Sequence, residues 1–389
     1  MNGGWPPTHR ASYKEFSRMI SRDRVRATLN QQEPDRVPMM MSASGWVIKR
    51  LKQRLGVETD RDLHRALHLD VFDTRGFDYK GAIGPKYIGP EEIGIPSDWR
   101  GDLFKVFGYH EEIIENAYGK SSAMGMPCVG VDEYPTVAEL ETYRWPQADW
   151  FDFSEIRSQI EPWADEFAIA CTGCSVFQHP TLYRGIEQLL LELHAEREIA
   201  TFIIDKVTDF YLDYFGRIFE EAGDLIDIFR LADDIGAQNN LFISPGNLDE
   251  YLAPRVRRCA DLAHRYDIKL LFHTDGNVRK AIPDMIEWGV DILDPIQPEV
   301  PDMDAETLKR EFGDRLSFSG GVGAQEILPR GSVEDVRAEV QRVIDILAPG
   351  GGYILAPGHP SLQMDVPTEN IIAMFEAGLE YGRYPSDCA

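Results

Sequence analysis

The sequence is poor in cysteine: five residues in 389, at Cys128, Cys171, Cys174, Cys259 and Cys388. An odd number spread thinly over a long chain is no disulfide framework. Basic residues are scarce too, 40 against 65 acidic, for a formal charge of -25. Such a charge repels phosphates and anionic lipid heads, so neither nucleic acid nor a membrane surface is an expected partner. No uninterrupted apolar run approaches the ~20 residues that span a bilayer. The start, Met1-Asn2-Gly3-Gly4-Trp5-Pro6-Pro7, shows no basic segment followed by an apolar one, so no secretory signal is expected. These shortages together predict a cytoplasmic protein. What is present suits a large core with many short connections: 43% hydrophobic residues, 33 glycines and 24 prolines. The length fits one large α/β domain or two average ones.

Residues 1–20 read as a leader and 21–385 as a single domain. The pattern predicts a helix over Arg22–Asn30, then a strand over Val37–Met41 running into Ser42-Ala43-Ser44-Gly45. His64 and His68 stand one helical turn apart, a spacing that can share a metal. No acidic residue lies between them as in a metalloprotease, and a solvated helix face is the expectation. A second strand, Leu69–Asp73, precedes a long irregular segment, 74–162, rich in Gly, Pro and aromatics, including Tyr79, Tyr87, Trp99, Tyr109, Tyr118, Trp145 and Trp150. A connection of that length reads as a lid or insertion.

From Phe167 the pattern becomes regular. Strand-like runs at Phe167–Cys171, Ile226–Leu231, Ile268–Phe272, Val290–Leu293, Leu316–Phe318 and Tyr353–Leu355 alternate with amphipathic segments such as Leu248–Tyr266 and Val333–Leu347. With the first two, that makes eight strands, most followed by a helix. The predicted fold is α/β, a single (β/α)8 TIM-type barrel with a long insertion after the second strand.

Barrel active sites are built where strands end, so the residues after each strand are the candidates. Lys269-Leu270-Leu271-Phe272-His273-Thr274-Asp275-Gly276 stands out, a buried strand with no polar group until its last residue, then His-x-Asp-Gly. An ordinary strand end with an Asp-Gly turn is the competing explanation. At the same end fall Ser42 and Ser44; Asp73 and Arg75; Asp233, Asp234 and Gln238; Asp294 and Gln297; Ser319-Gly320-Gly321 and Gln325; and His359. Two histidines and several carboxamides converging there point to an enzyme, with Ser44, Asp233, Gln238, Gln297 and Gln325 as substrate-binding candidates and His273, Asp234 and His359 as catalytic ones. Asp233-Asp234 could equally hold substrate, a metal or a helix N-terminus. Cys171-x-x-Cys174 has no second pair to complete a four-cysteine zinc site, so a structural role is expected. Gly350-Gly351-Gly352 precedes a strand and reads as turn chemistry, whereas Gly320-Gly321 follows one and leaves phosphate binding open.

Several of these segments occur together in one known family. The run Arg22-Asp23-Arg24-Val25 through Glu33-Pro34-Asp35-Arg36-Val37-Pro38, then Asp233-Asp234-x-Gly236-x-Gln238, His273-x-x-Gly276, Glu287-x-Gly289-x-Asp291-x-Leu293-x-Pro295-x-Gln297 and Ser319-Gly320-Gly321, follow in order, up to Gly351-Gly352-Tyr353-Ile354-Leu355 and Pro367-x-Glu369-Asn370. The chain resembles the uroporphyrinogen decarboxylase superfamily over nearly its whole length, and within it the corrinoid-dependent methyltransferase branch. The resemblance implies a (β/α)8 barrel and a homodimer. The decarboxylases carry an arginine loop after the first strand that grips substrate carboxylates. Here Met39-Met40-Met41-Ser42-Ala43-Ser44-Gly45-Trp46 has no arginine before Arg50, and the pocket is short of visible cations. His359 does align with a histidine of the decarboxylases, which keeps decarboxylation as a second reading.

Methyltransferases of the branch use a His-x-Cys zinc site completed by a distant cysteine. In this chain His273 is kept, Asp275 stands at the first cysteine position and His359 at the second, and both replacements can still ligate zinc. The implied metal set is His273, Asp275 and His359. A metal-free pocket, in which the three bind substrate by hydrogen bonds, is the alternative. Without thiolates the ion would be harder and more Lewis acidic, suited to polarising the oxygen or nitrogen of a methyl donor. The expected function is demethylation of a small O- or N-methylated substrate, with the methyl passing to a corrinoid on a partner protein. A non-catalytic ligand-binding barrel is the third reading.

Overall fold

The computed structural model describes residues 19–76, 82–93, 95, 103–107, 111–116, 119–124, 134–359 and 361–385. Seven parallel strands form one curled sheet: β1 (Val71–Asp73), β2 (Ala168–Cys174), β3 (Ile228–Ala232), β4 (Lys269–His273), β5 (Ile292–Ile296), β6 (Ser317–Val322) and β7 (Tyr353–Pro357). They lie in sequence order from β1 to β7. Residues 38–41 fill the eighth place. Met40 N donates to Leu355 O (3.0 Å), Leu355 N to Pro38 O (2.9 Å), and Asp70 N to Met39 O (2.7 Å). That segment bonds to strands on both sides and closes the TIM-type barrel. Seven of the eight predicted strands are found, displaced by up to a few residues, and several run further toward their C-terminal ends than the sequence suggested; the predicted strand Val37–Met41 is instead a bridged segment.

Side chains alternate along a strand, and here the alternation separates two environments. Phe72, Ile169, Phe229, Leu231, Leu270, Phe272, Leu293, Tyr353 and Leu355 face the helices as part of the large outer core. Val71, Ala168, Ala170, Ile228, Leu271, Ile292 and Ile354 face the axis in a second, smaller apolar cluster. The bottom of that cluster is closed by Val25 and Leu29 from the first helix, Ser21–Leu29. Burying two such side chains contributes roughly 1.5–3 kcal/mol each. Ion pairs hold the plug in place. Arg24 bonds to Asp70 and Asp35, both at 2.6 Å, and Arg22 and Arg26 reach Asp227 at 3.0 and 2.6 Å.

Two residues further along the inward rows comes a polar layer. Asp73, Thr172, Arg230, His273 and Asp294 occupy the positions i+2 from Val71, Ala170, Ile228, Leu271 and Ile292. This layer underlies the mouth of the barrel.

Within the insertion, Lys86–Tyr87 pairs antiparallel with Phe151–Asp152, and Glu111–Asn116 with Gly119–Met124. Its aromatics pack beside the barrel: Phe107 stacks on Tyr183 and meets Phe210 edge-on, and Phe151 packs on Tyr214. Phe210 and Tyr214 belong to a 26-residue helix, Arg197–Ala222. Tyr79, Trp99, Tyr109 and Tyr118, with most of the leader, lie outside the described residues. His64 is not on a solvated face. It is buried against Phe72, Trp163 and Phe167, with Nδ1 2.9 Å from Asp60 O, and burial lowers its pKa to about 4. Cys171, Cys174 and Cys259 are free and buried, as core residues. Gly350, Gly351 and Gly352 all have positive φ, as turn chemistry requires. Gly320 lies inside β6, where an added Cβ would come within 2.7 Å of Ile296 N, so it serves close strand packing. Among the described residues no helix is long and apolar enough to cross a membrane.

Candidate metal centre

Three side chains, one from the polar layer and two from the loops just beyond it, meet at the barrel mouth. Asp234, His273 and Asp275 each offer a ligand atom, and these atoms lie within 4.8 Å of one another. His273 is the last residue of β4, Asp275 follows two residues later, and Asp234 lies two beyond the end of β3.

Two glycines bring the loops together. An added Cβ on Gly276, whose φ is +85°, would sit 2.7 Å from Gly236 C and 2.8 Å from Ala237 O; one on Gly236 would sit 2.5 Å from Asp275 O. The backbones pass so closely that neither position accepts a side chain. Gly276→Ala is therefore expected to destabilise the protein by about 1–3 kcal/mol and to separate Asp234 from Asp275. Denaturant unfolding and divalent-metal titration of the variant would check both effects.

Each of the three has its own supporting partner. Asp294 Oδ2 lies 3.0 Å from His273 Nδ1. A carboxylate there fixes the tautomer, with Nδ1 protonated and the Nε2 lone pair free. Gln178 Nε2 donates to Asp234 Oδ2 at 2.9 Å, and Asp275 N donates to Asp234 Oδ1 at 2.9 Å. Gln297 Nε2 donates to Asp275 Oδ1 at 2.8 Å, and its Oε1 accepts from Gly276 N at 2.6 Å. That second bond settles which way the amide points. Burial raises the pKa of Asp275, against the pull of His273 and His359.

Beneath them lies a buried charge network. Arg230 Nη2 is 3.2 Å from Asp294 Oδ2, and Arg230 Nη1 is 3.8 Å from Asp73 Oδ2. Arg75 donates to Asp73 from its backbone N (2.9 Å) and from Nη2 (3.1 Å). Burial pushes Asp294 up, yet the Arg230 charge and the His273 bond outweigh it and hold the carboxyl at about 2. Asp73 is likewise pushed up by burial and held below its ordinary value by Arg75 and Arg230.

The sequence-based set is therefore rearranged. Asp234, expected as catalytic, takes the place among the mutually close ligands that was expected for His359. His359 stands just outside, with Nε2 3.5 Å from Asp275 Oδ2, its side chain 39% exposed and its Nδ1 near Ser361 N and O. Asp233, expected to bind substrate, is fully buried. Its carboxylate accepts from Ser175 Oγ (2.6 Å) and from the backbone N of Val176, Phe177 and Gln178 (3.0, 2.9 and 2.7 Å). It thus secures the start of the helix Gln178–Arg184, and the adjacent aspartates divide their work because successive side chains diverge. Burial pushes Asp233 up to about 6 against those four donors. Gln238 and Gln325 are exposed and make no bond to the cluster. Ser44 stands at the start of the helix Gly45–Leu55, its Oγ buried without a hydrogen-bond partner among the described residues. Gln297, expected to bind substrate, is bonded to Asp275 and Gly276 at the cluster. Gln178 and Arg230 were missed; for Arg230 the signal was the alternation Ile228-Phe229-Arg230-Leu231, which sends a charge to the barrel axis.

The arrangement fits a divalent cation. It combines one imidazole with a free lone pair and two carboxylates in mutual reach, and all three are held by hydrogen bonds to other side chains. Fold and site together define a TIM-type barrel with a candidate His/carboxylate metal centre at its C-terminal mouth. Residues 175–381 match the family model described as uroporphyrinogen decarboxylase (URO-D), and the chain belongs to that family. Among solved structures it is similar to a methyltransferase from Methanosarcina mazei, at 18% identity and a TM-score of 0.63, over 93% of this chain and 99% of that one. That likeness shows a shared fold along almost the full length of both. A D-psicose 3-epimerase from Clostridium cellulolyticum H10 also matches, at 13% identity and a TM-score of 0.37, over 63% of this chain and 85% of the other. Comparison with the curated proteins finds no match.

Proposed function

We propose that this chain is a methyltransferase of the corrinoid-linked kind, taking a methyl group from a small O- or N-methylated molecule and passing it to a corrinoid on a partner protein. The observation that carries the reading is the hydrogen-bonded cluster of Asp234, His273 and Asp275 at the barrel mouth. These three would hold zinc, with His359 at the rim as a proton donor. When bound, the ion supplies Lewis acidity at the atom bearing the methyl group, and the corrinoid supplies the methyl acceptor.

The chain's own residues do the rest. Asp294 holds the His273 ring with Nε2 toward the mouth, and Gln178 and Gln297 keep the two carboxylates from turning away. Breaking the methyl–heteroatom bond leaves the electron pair on the heteroatom, which needs a proton. His359 Nε2 lies beside the cluster and reaches solvent, so it is placed to hand that proton over. A decarboxylase reading would rest on Arg230 as a carboxylate grip, but Asp73 and Asp294 already neutralise that guanidinium.

The test combines metal-loaded protein, a methyl ether and a corrinoid protein reduced to Co(I). Methyl-cobalt absorbance and demethylated alcohol should appear in equal amounts. His359→Ala is expected to slow this by about 10²-fold with metal content unchanged, in keeping with loss of a general acid. Release of CO2 from a carboxylated substrate, with no methyl loss from any ether, would contradict the proposal.

A further inference from the structure

A cavity lies in the barrel axis beside the metal cluster, reaching from the closing segment and β7 to the polar layer. Met40, Met41 and Ser42 from the closing segment and Ala356 and Pro357 from β7 form one wall. Val71, Ala170, Ile228 and Leu271 form an apolar floor, and Asp73, Arg230 and Asp294 line the polar side. Asp294 thus touches both compartments, lining the cavity and bonding to His273. The space exists because two inward positions, 170 and 356, are alanine where barrel layers are ordinarily filled by bulky branched residues. Protein interiors hold few voids larger than a water, and an unfilled void costs stability in proportion to its volume. Its retention beside the candidate centre indicates use.

The volume is about 40 Å³. That is more than a single water needs, roughly 10–15 Å³, and far less than a drug-sized ligand fills, so the space takes a small group. Charge sets the second limit. Every ionised group on the cavity wall already has a partner within the network: Asp73 has Arg75 and Arg230, and Asp294 has Arg230 and His273. Asp73, Arg230 and Asp294 line the same space, so a further carboxylate or a further cation would meet a like charge as well as an opposite one that already has its partner. Either would be buried without a counter-ion of its own.

Resting on the methyl-transfer reading, we infer that the substrate is an uncharged methyl donor whose small non-reacting end seats in this axial cavity, with Ala356 and Ala170 setting the size of that end. Carboxylated and ammonium-bearing donors are excluded by the charge-balanced wall.

Three probes of nearly equal size test this: 2-methoxyethanol, methoxyacetate and 2-methoxyethylammonium. Their binding to the full-length protein in the presence of zinc would be followed by ligand-observed NMR titration, which needs no turnover. The neutral ether is expected to bind at least about tenfold more tightly than either ion. Ala356→Leu, which fills the cavity, should weaken neutral binding by about tenfold or more with zinc uptake retained. The inference is overturned if either ion binds as well as the ether, if none of the three binds, or if folded Ala356→Leu binds the ether like the wild type. Should that variant not fold, the charge series on the wild type still decides. Ether binding without methyl loss to a Co(I) corrinoid would instead sink the methyl-transfer reading and leave the pocket standing.

Discussion

Replacing Asp70 with alanine is expected to destabilise the protein by about 3–5 kcal/mol, the range for removing one member of a buried ion pair. Asp70 is fully buried at the bottom of the barrel. It accepts from Arg24 Nη1 (2.6 Å), Arg36 Nη1 (2.7 Å) and Nη2 (2.9 Å), and Met39 N (2.8 Å). Three links converge there: the first helix, whose Val25 and Leu29 plug the axis; the segment that closes the barrel; and β1. Removing the carboxylate leaves Arg24, itself 2% exposed, sharing Asp35 alone among these carboxylates, and leaves the Met39 N–H without its acceptor. Asp70→Asn keeps the volume and one acceptor oxygen and should fall between alanine and wild type. Denaturant midpoints for the three proteins measure the series; an alanine variant within about 1 kcal/mol of wild type would show that the plug is not held there.

Asp294→Asn is expected to weaken divalent-metal binding by about 10–100-fold, the usual effect of losing a group that orients a histidine ligand. The carboxylate has two tasks. It accepts from His273 Nδ1 and balances Arg230. An amide can keep one hydrogen bond, but it carries no charge and no longer dictates the tautomer. The fold should also lose stability, because Arg230 is 7% exposed and would lose the nearer of its two carboxylates in this network, keeping Asp73 at 3.8 Å. Calorimetric zinc titration under conditions where the variant remains folded separates the effects. An unchanged affinity would mean that the His273 ring is held by its packing alone.

Much of the fold was legible because the inward and outward rows of each strand are both apolar over their first residues, and eight such runs separated by helices admit few architectures. The candidate site was legible where residue type and local spacing coincide, as in His273-x-Asp275-Gly276. It was not legible where the deciding fact is which neighbour faces inward. Asp233 and Asp234 are chemically identical in the sequence, yet one secures a helix start and the other joins the cluster. Arg230 sits inside a strand and was counted with its apolar neighbours, so the pocket was read as short of cations. Gln178 bonds to a residue 56 positions away, a separation that no local pattern reports. The resemblance pointed to His273 and Asp275 after β4 and added His359 from a relative's cysteine position, whereas the mutually close ligand atoms include Asp234 from the loop after β3.

The proposal stands or falls on whether Asp234, His273 and Asp275 bind a divalent ion. Equilibrium dialysis of the purified wild-type protein against zinc tests it most directly, beside Asp234→Ala, His273→Ala and, as a control away from the cluster, Gln325→Ala. One ion per chain is expected for the wild type and the control, and loss of stoichiometric binding in the other two. A wild type that takes up no stoichiometric zinc, or Asp234→Ala and His273→Ala variants that bind it undiminished, would contradict it.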